Sequence, residues 1–600
     1  MNEKTGQDLP APITATAPPP KQRSKKTLLA HLLLVCSTLY FMKTYYFDQN
    51  LPSYSSSIHN CHHHDEEVID FAEAQKSLCP ISPKIVPEQY DEFKDTVDKI
   101  LFDPDFRVKS AEKLSGAVQI RTEVTDKTKF LPLDDPSFAP FVDFHHYLKE
   151  QFPLVHKSMT KEVVNEYGLV FTWDGADPSL KPLLLTAHQD VVPVEWATED
   201  QWSHHPYSGH YDGEYVWGRG SSDCKNLLIG LMESMELLIE TGYSPKRTVI
   251  LAFGYDEEAS GVIGAKKISE FLYERYGKDS MYALIDEGSS GVIAMEGQYF
   301  ASLATGEKGY LDSMITLTTP GGHSSVPPDH TSIGIMSTFI SLIEKTPFKP
   351  SLPSYNPLLG MMQCIASYSD EMAPALRQTI LNADRDETAN KKLIEYLSND
   401  KLTKYLISTS QAVDIIHGGI KSNALPESVS VVINSRVNVD SSVSETQDKI
   451  AGNLLLVANR FDLGVVVNGI TIKEPTANGL FNYTRSTPLE VAPISPHSGE
   501  MWDIYVGSLR HVYEDLVYGE QLEGKPVIAT PGMSTGNTDT KYYWDLTKNI
   551  YRYQPGALSD SVSLGGIHSV NENVLFQGHL NIVAFYYEYI RNVDSFSSEQ

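Results

Sequence analysis

Residues 182–190, PLLLTAHQD, 248–258, TVILAFGYDEE, and 282–288, YALIDEG, share one plan: a short apolar run that ends in a polar, acidic cluster. Runs of this length, rich in Leu, Ile and Val and closed by turn residues, predict buried strands. Between the first two lies 227–240, LLIGLMESMELLIE, an apolar-faced helix. Strand, helix and strand in that order predict an α/β fold containing a parallel sheet, in which ligands gather beyond the carboxyl ends of the strands. The three acidic clusters sit at those ends.

Outward from this block the texture changes. Residues 309–476 alternate in the manner of strands, as in LDSMITLTTP and SVSVVINSRV, mixed with helical stretches. They predict an α+β domain inserted into the first, which then comprises 80–308 and 477–600. The returning part contains a further strand, PVIATP, and a terminal helix over 575–591.

Residues 1–26 are rich in Pro, Ala and Thr and close on Lys21, Arg23, Lys25 and Lys26, the composition of a disordered tail with a basic flank. The apolar run TLLAHLLLVCSTLYFM follows, and with Lys43, Tyr45, Tyr46 and Phe47 it extends over 27–47. Roughly twenty residues suffice to span a bilayer. No small-x-small cleavage site follows, so the span reads as a retained signal anchor. The basic flank places the tail in the cytoplasm and everything beyond a stalk at 48–79 in a lumen or outside, a single-pass type II topology. Asn482-Tyr483-Thr484 is a glycosylation acceptor on that side. Cys61 and Cys79 either pair in an oxidising compartment or remain thiols. The 49 basic and 77 acidic residues leave a net charge of −28, which disfavours nucleic acid as a partner.

His188 and Asp190 stand one residue apart just past a strand, so the carboxylate can orient the imidazole as in many metal sites. Asp223, in GRGSSDCKN, can bridge two ions with its two oxygens. Glu257 and Glu258 are adjacent at a strand end; neighbours in an extended segment point opposite ways, so one can ligate while the other serves as a base. His568, in GIHSVNE, completes a set of nitrogen and carboxylate donors suited to zinc. Two other readings exist. Gly532-Met533-Ser534-Thr535-Gly536 fits a nucleophile elbow, with Ser534 as nucleophile and Asp539 and His568 downstream. A non-catalytic membrane binding protein on a decayed peptidase fold is the other.

The segments LLTAHQDVVPV, GRGSSDCKN, GYDEEASG, IDEG, TPGGHSS and GIHSVNE resemble, in order, those of the di-zinc metallopeptidase family that includes glutamate carboxypeptidase, aminoacylase and carboxypeptidase S. With its anchor and lumenal body the chain is similar in outline to the family's fungal vacuolar members. The resemblance implies two zinc ions per subunit, with His188 on one, Asp223 bridging and Glu258 on the second. Asp190 would then orient His188, Glu257 would be the general base and His568 would complete the set. The remaining ligand is Asp286 or Glu287. A cis peptide at Asp223-Cys224 is also implied. The insert resembles the family's lid, through which a homodimer can form. His323 would polarise the scissile carbonyl, and Asn423 in SNALPE and Arg436 in NSRV would bind the substrate carboxylate. Gly536 to Lys541 resembles a further substrate-side loop, in which relatives often carry Arg in place of Lys541. The activity implied is release of a C-terminal amino acid from short or N-blocked peptides of the Gly-X type, or hydrolysis of N-acyl amino acids.

Overall fold

The strand Leu183–His188 lies in the middle of an eight-stranded sheet, and all six of its residues are buried. Its side chains alternate between faces, as strand geometry requires. Leu183, Leu185 and Ala187 join one apolar core with the helix Lys225–Glu240, while Leu184 joins another with the helix Ala265–Tyr276. Both faces are covered, which is why the sequence shows an unbroken apolar run instead of alternation. Each fully buried leucine is worth about 1.5–3 kcal/mol of transfer free energy.

The computed structural model describes residues 77–560 and 565–596, all within one structural unit, Pro52–Gln600. In spatial order the sheet runs Thr160–Val164, Gly168–Trp173, Val249–Gly254, Leu183–His188, Ala283–Met295, Ile550–Ser559, Gln298–Glu307 and Val527–Ser534. Leu183–His188 is parallel to both neighbours, Val249–Gly254 and Ala283–Met295. Gly168–Trp173 runs antiparallel to Val249–Gly254, and Ala283–Met295 antiparallel to Gln298–Glu307, so the sheet is mixed. The helix Phe576–Ser595 packs with Lys225–Glu240 on one face through Ile582, Val583 and Leu227.

A single residue, Lys308, separates Gln298–Glu307 in this sheet from Gly309–Thr318 in a second, six-stranded one. The second sheet has the order Ala412–Gly418, Ser428–Val437, Gly309–Thr318, Leu480–Arg485, Gly464–Val467 and Ile470–Lys473. Ser428–Val437 alternates between buried and more open positions. Its buried face packs with Ile335, Phe339, Ile450 and Leu454 of the helices Ser332–Lys345 and Val443–Arg460. The sheet does not end at residue 476, because Leu480–Arg485 pairs antiparallel with Gly309–Thr318. Asn482 is exposed on that strand.

Cys79 forms a disulfide with Cys364, on the helix Pro357–Tyr368, and not with Cys61. Those two cysteines are 285 residues apart, a pairing only the fold brings about. The helix itself packs against Val527–Ser534. Cys61, the expected anchor at 27–47 and the tail at 1–26 lie outside the described residues. Among the described residues no helix is long and apolar enough to cross a membrane.

Candidate metal centre

Two strand ends, the interior of a third strand and two loops deliver the predicted donors to one place. His188 closes its strand, and its Nδ1 lies 3.0 Å from the Asp190 carbonyl oxygen and 3.5 Å from Asp190 Oδ1. A carbonyl only accepts, so Nδ1 carries the hydrogen and Nε2 is the nitrogen that could hold a metal. Nε2 lies 3.0 Å from Asp223 Oδ1 and 3.5 Å from Glu287 Oε1. Asp223 turns its other oxygen, Oδ2, to His568 Nε2 at 3.1 Å, and Glu258 Oε1 lies 2.9 Å from the same nitrogen. Two donor groups therefore share Asp223: His188, Asp223 and Glu287 on one side, Asp223, Glu258 and His568 on the other.

The turn Gly218–Cys224 presents Asp223 through a cis Asp223–Cys224 peptide, the bond the family resemblance implied. Gly220 within it has φ +85, and a Cβ there would lie 2.5 Å from Val191 Cγ1, so only glycine fits. Glu257 and Glu258 stand not in extended backbone but in a single 3-10 turn, Glu257–Ala259. The buried Asp190 carboxylate fixes it, accepting the N–H of Glu257 at 3.2 Å and of Glu258 at 3.0 Å. Asp190 thus orients His188 chiefly through its carbonyl and spends its carboxylate on the Glu257–Glu258 turn. Glu257 shares a donor group with His188 and Glu258, and its side chain makes no hydrogen bond among the described residues.

Asp286 and Glu287 separate clearly. The strand that YALI begins continues to Met295, through both carboxylates. Alternation sends Glu287 to His188 and Asp223, and sends Asp286 into the interior, where it is 2% exposed and its Oδ2 has no hydrogen-bond partner. Asp286 joins neither donor group.

The charges explain why this site needs cations. Burial and the neighbouring Glu287 and Asp539 push the Glu257 carboxyl well up, and burial raises Glu287 to about 8. Hydrogen bonds that His568 donates to the Asp223 and Glu258 carboxylates raise it to about 10. Asp223 is lowered although burial opposes it, because both imidazoles face it. Four carboxylates in one small buried space repel each other, and two divalent ions between them would relieve that repulsion. Two imidazole nitrogens and a set of carboxylate oxygens with one shared Asp suit such a pair.

The remaining predicted residues lie on the second sheet. His323, exposed, pairs with Ala424 in a short ladder, and the Asn423 carbonyl accepts the Ser324 N–H at 3.3 Å, so His323 and Asn423 are neighbours. His323 Nδ1 takes the Ser325 hydroxyl at 2.7 Å, and Nε2 has no hydrogen-bond partner among the described residues. Arg436 lies opposite Tyr310, its guanidinium 4.9 Å from the ring centroid, and donates from Nη1 to Asn537 Oδ1 at 2.9 Å. Among the described residues it forms no ion pair. The loop with Asn537 is held by buried Glu307, which accepts Thr538 N–H and hydroxyl and the Thr540 hydroxyl and pairs with Arg552 at 3.0 Å. Neither Glu307 nor Arg552 was legible as part of the site, since each is one residue in an apolar strand.

Ser534 is the last residue of Val527–Ser534, with its hydroxyl on the Gly536 carbonyl at 3.2 Å and no helix directly after it. His568 faces Asp223 and Glu258 instead. The elbow reading fails on both counts.

A fold and a double donor group of this kind define a metallopeptidase, and the family model described as Peptidase family M20/M25/M40 matches residues 184–592; the chain belongs to that family. It is 45% identical over 540 residues to carboxypeptidase S of Saccharomyces cerevisiae, covering 89% of this chain and 91% of that one. It is 32% identical over 502 residues to the mouse N-fatty-acyl-amino acid synthase/hydrolase PM20D1, covering 82% and 90%. Among solved structures, the M20 family metallo-carboxypeptidase Sso-CP2 of Sulfolobus solfataricus shares the fold with a TM-score of 0.54 at 14% identity, covering 81% of this chain and 99% of that one.

Proposed function

We propose that this protein is a zinc metallocarboxypeptidase that hydrolyses the C-terminal amide bond of short or N-blocked peptides of the Gly-X type and releases the C-terminal amino acid. The observation that carries the reading is Asp223, which turns one oxygen to each of two donor groups with Glu257 beside them. Zinc ions held by His188, Asp223 and Glu287 and by Asp223, Glu258 and His568 would supply Lewis acidity toward water and the amide carbonyl. Glu257 takes the proton of the attacking water as the carbon–oxygen bond forms, and returns it to the leaving nitrogen as the carbon–nitrogen bond breaks. His323 Nε2 donates to the developing oxyanion. Arg436, backed by Asn537, and Asn423 hold the free carboxylate of the leaving residue.

An N-acyl amino acid presents the same amide and the same carboxylate, and the relative named N-fatty-acyl-amino acid synthase/hydrolase favours that second reading. Purified lumenal protein assayed on blocked dipeptides and on fatty-acyl amino acids, with and without chelator, separates them. The expected result is chelator-sensitive cleavage of the dipeptides, restored by zinc. Hydrolysis of the acyl amino acids alone would favour the second reading, and activity indifferent to chelator would overturn both.

The same proposal places residues 1–26 in the cytoplasm, a signal anchor at 27–47 and the body in a vacuolar lumen. The Cys79–Cys364 disulfide supports an oxidising compartment, and exposed Asn482 can accept a glycan there. The lid domain extends from 309 to the end of Leu480–Arg485, with homodimer formation assigned to it.

A further inference from the structure

Glu572 is buried, 0% exposed, and its carboxylate and carbonyl oxygens all bond the turn Gly218–Cys224. Its Oε1 accepts the main-chain N–H of Gly220 at 2.9 Å, Ser222 at 3.1 Å and Asp223 at 3.2 Å. Its Oε2 accepts Nη1 of Arg219 at 2.6 Å, and its carbonyl accepts the N–H of Gly218 at 2.9 Å. Arg219 is itself 4% exposed, with its guanidinium 5.5 Å from the Trp202 ring centroid, so the pair is closed off from solvent. A buried carboxylate is costly unless charge and hydrogen bonds compensate it, and here both oxygens are compensated by one turn.

The other end of the same short segment carries His568. Its φ is +57, left-handed backbone that is uncommon outside glycine, and Asn571, a residue type that tolerates that region, has φ +63. The Asn571 side chain accepts the Ser203 N–H at 2.6 Å, which pins the segment from a second direction. Asp223 and His568 meet through Oδ2 and Nε2 at 3.1 Å, while Asp223 and Glu572 meet through the main chain. The contacts form a closed ring of turn, carboxylate, segment and imidazole.

We propose that Glu572 is the positioning residue of the bimetal centre: it locks the turn that presents Asp223 to the segment that presents His568, so that both ion sites are set by one clamp. This rests on the two-ion reading above. Because Asp223 is shared, loosening the clamp weakens both sites together, whereas loss of an end ligand weakens one. Partners that orient ligands typically account for about ten- to hundredfold in metal affinity.

Zinc affinity of wild type, Glu572→Gln and Glu572→Ala, measured by competition with a chromogenic chelator, tests this alongside the melting temperature of each apoprotein. Glu572→Gln keeps an oxygen for the three N–H groups but sets an amide NH2, which cannot accept, against Arg219 Nη1. The expected result is that both ions bind about tenfold more weakly in Glu572→Gln and up to about a hundredfold more weakly in Glu572→Ala. The apo melting temperature of Glu572→Gln falls because Arg219 loses its buried partner, but less than that of Glu572→Ala, and activity at limiting zinc is rescued by excess zinc with KM unchanged. Wild-type affinity for both ions in folded Glu572→Gln overturns the proposal, as does weakening of one ion alone; if Glu572→Ala does not fold, Glu572→Gln decides on the same criteria. Wild-type protein that binds no zinc overturns the two-ion reading, and this one with it.

Discussion

Arg436 Nη1 lies 2.9 Å from Asn537 Oδ1, a bond that joins the six-stranded sheet to the loop following the last strand of the eight-stranded one. A guanidinium held in this way, with Tyr310 beneath it and no carboxylate partner among the described residues, has donors that the proposed function assigns to a substrate carboxylate. Arg436→Ala is expected to lower kcat/KM by about ten- to hundredfold, the worth of a charged hydrogen bond. The loss should appear mostly in KM, and it should be small for substrates whose C-terminus is amidated. Steady-state kinetics on paired acid and amide substrates checks this.

Glu257 belongs to neither of the two donor groups that share Asp223. Glu257→Gln should therefore reduce kcat by about a hundred- to ten-thousandfold with zinc content unchanged. Metal analysis and turnover on the same preparation decide it; full activity would remove Glu257 from the mechanism.

The two candidates in Asp286-Glu287 now make opposite predictions. Glu287→Ala should lose one of two zinc ions, since Glu287 faces His188 and Asp223. Asp286→Asn should retain both, because that side chain lies in the interior beside Arg552. Zinc-to-protein ratios after dialysis distinguish the two.

Away from the site, Glu233 on the helix Lys225–Glu240 accepts Lys113 Nζ and the Ser110 hydroxyl, each at 2.5 Å. Burial opposes its charge, yet His579 and Lys113 bring its carboxyl down to about 2. The folded value lies below the unfolded one of about 4.3, so the stabilisation is fully present above that pH and is lost as pH falls from there toward 2. Its size is on the order of 3 kcal/mol. Glu233→Gln should be less stable than wild type at neutral pH and lose stability more gently through that acid range, as urea unfolding at several pH values would show.

The strand-end residues were legible because a buried strand leaves a plain trace. Apolar runs before His188 and Glu257 mark where strands end, and polar residues at such points face a shared crevice, whereas the run before Asp286 continues as strand to Met295. Glu572 stood in a quoted motif without a role, because its partners are the N–H groups of a turn about 350 residues away, which no spacing rule reaches.

By itself the sequence determined the α/β class and the family through its ordered motifs, and it singled out His188, Asp223, Glu257, Glu258 and His568, which the fold gathers in one place. Tertiary structure alone decided which of Asp286 and Glu287 faces His188, as both lie within one strand and only the sheet around it assigns the two faces. It also decided that Cys79 pairs with Cys364, and that the second sheet continues to Arg485. These are contacts between residues far apart in the chain, formed when sheets and helices bury their apolar faces, and no local pattern encodes them.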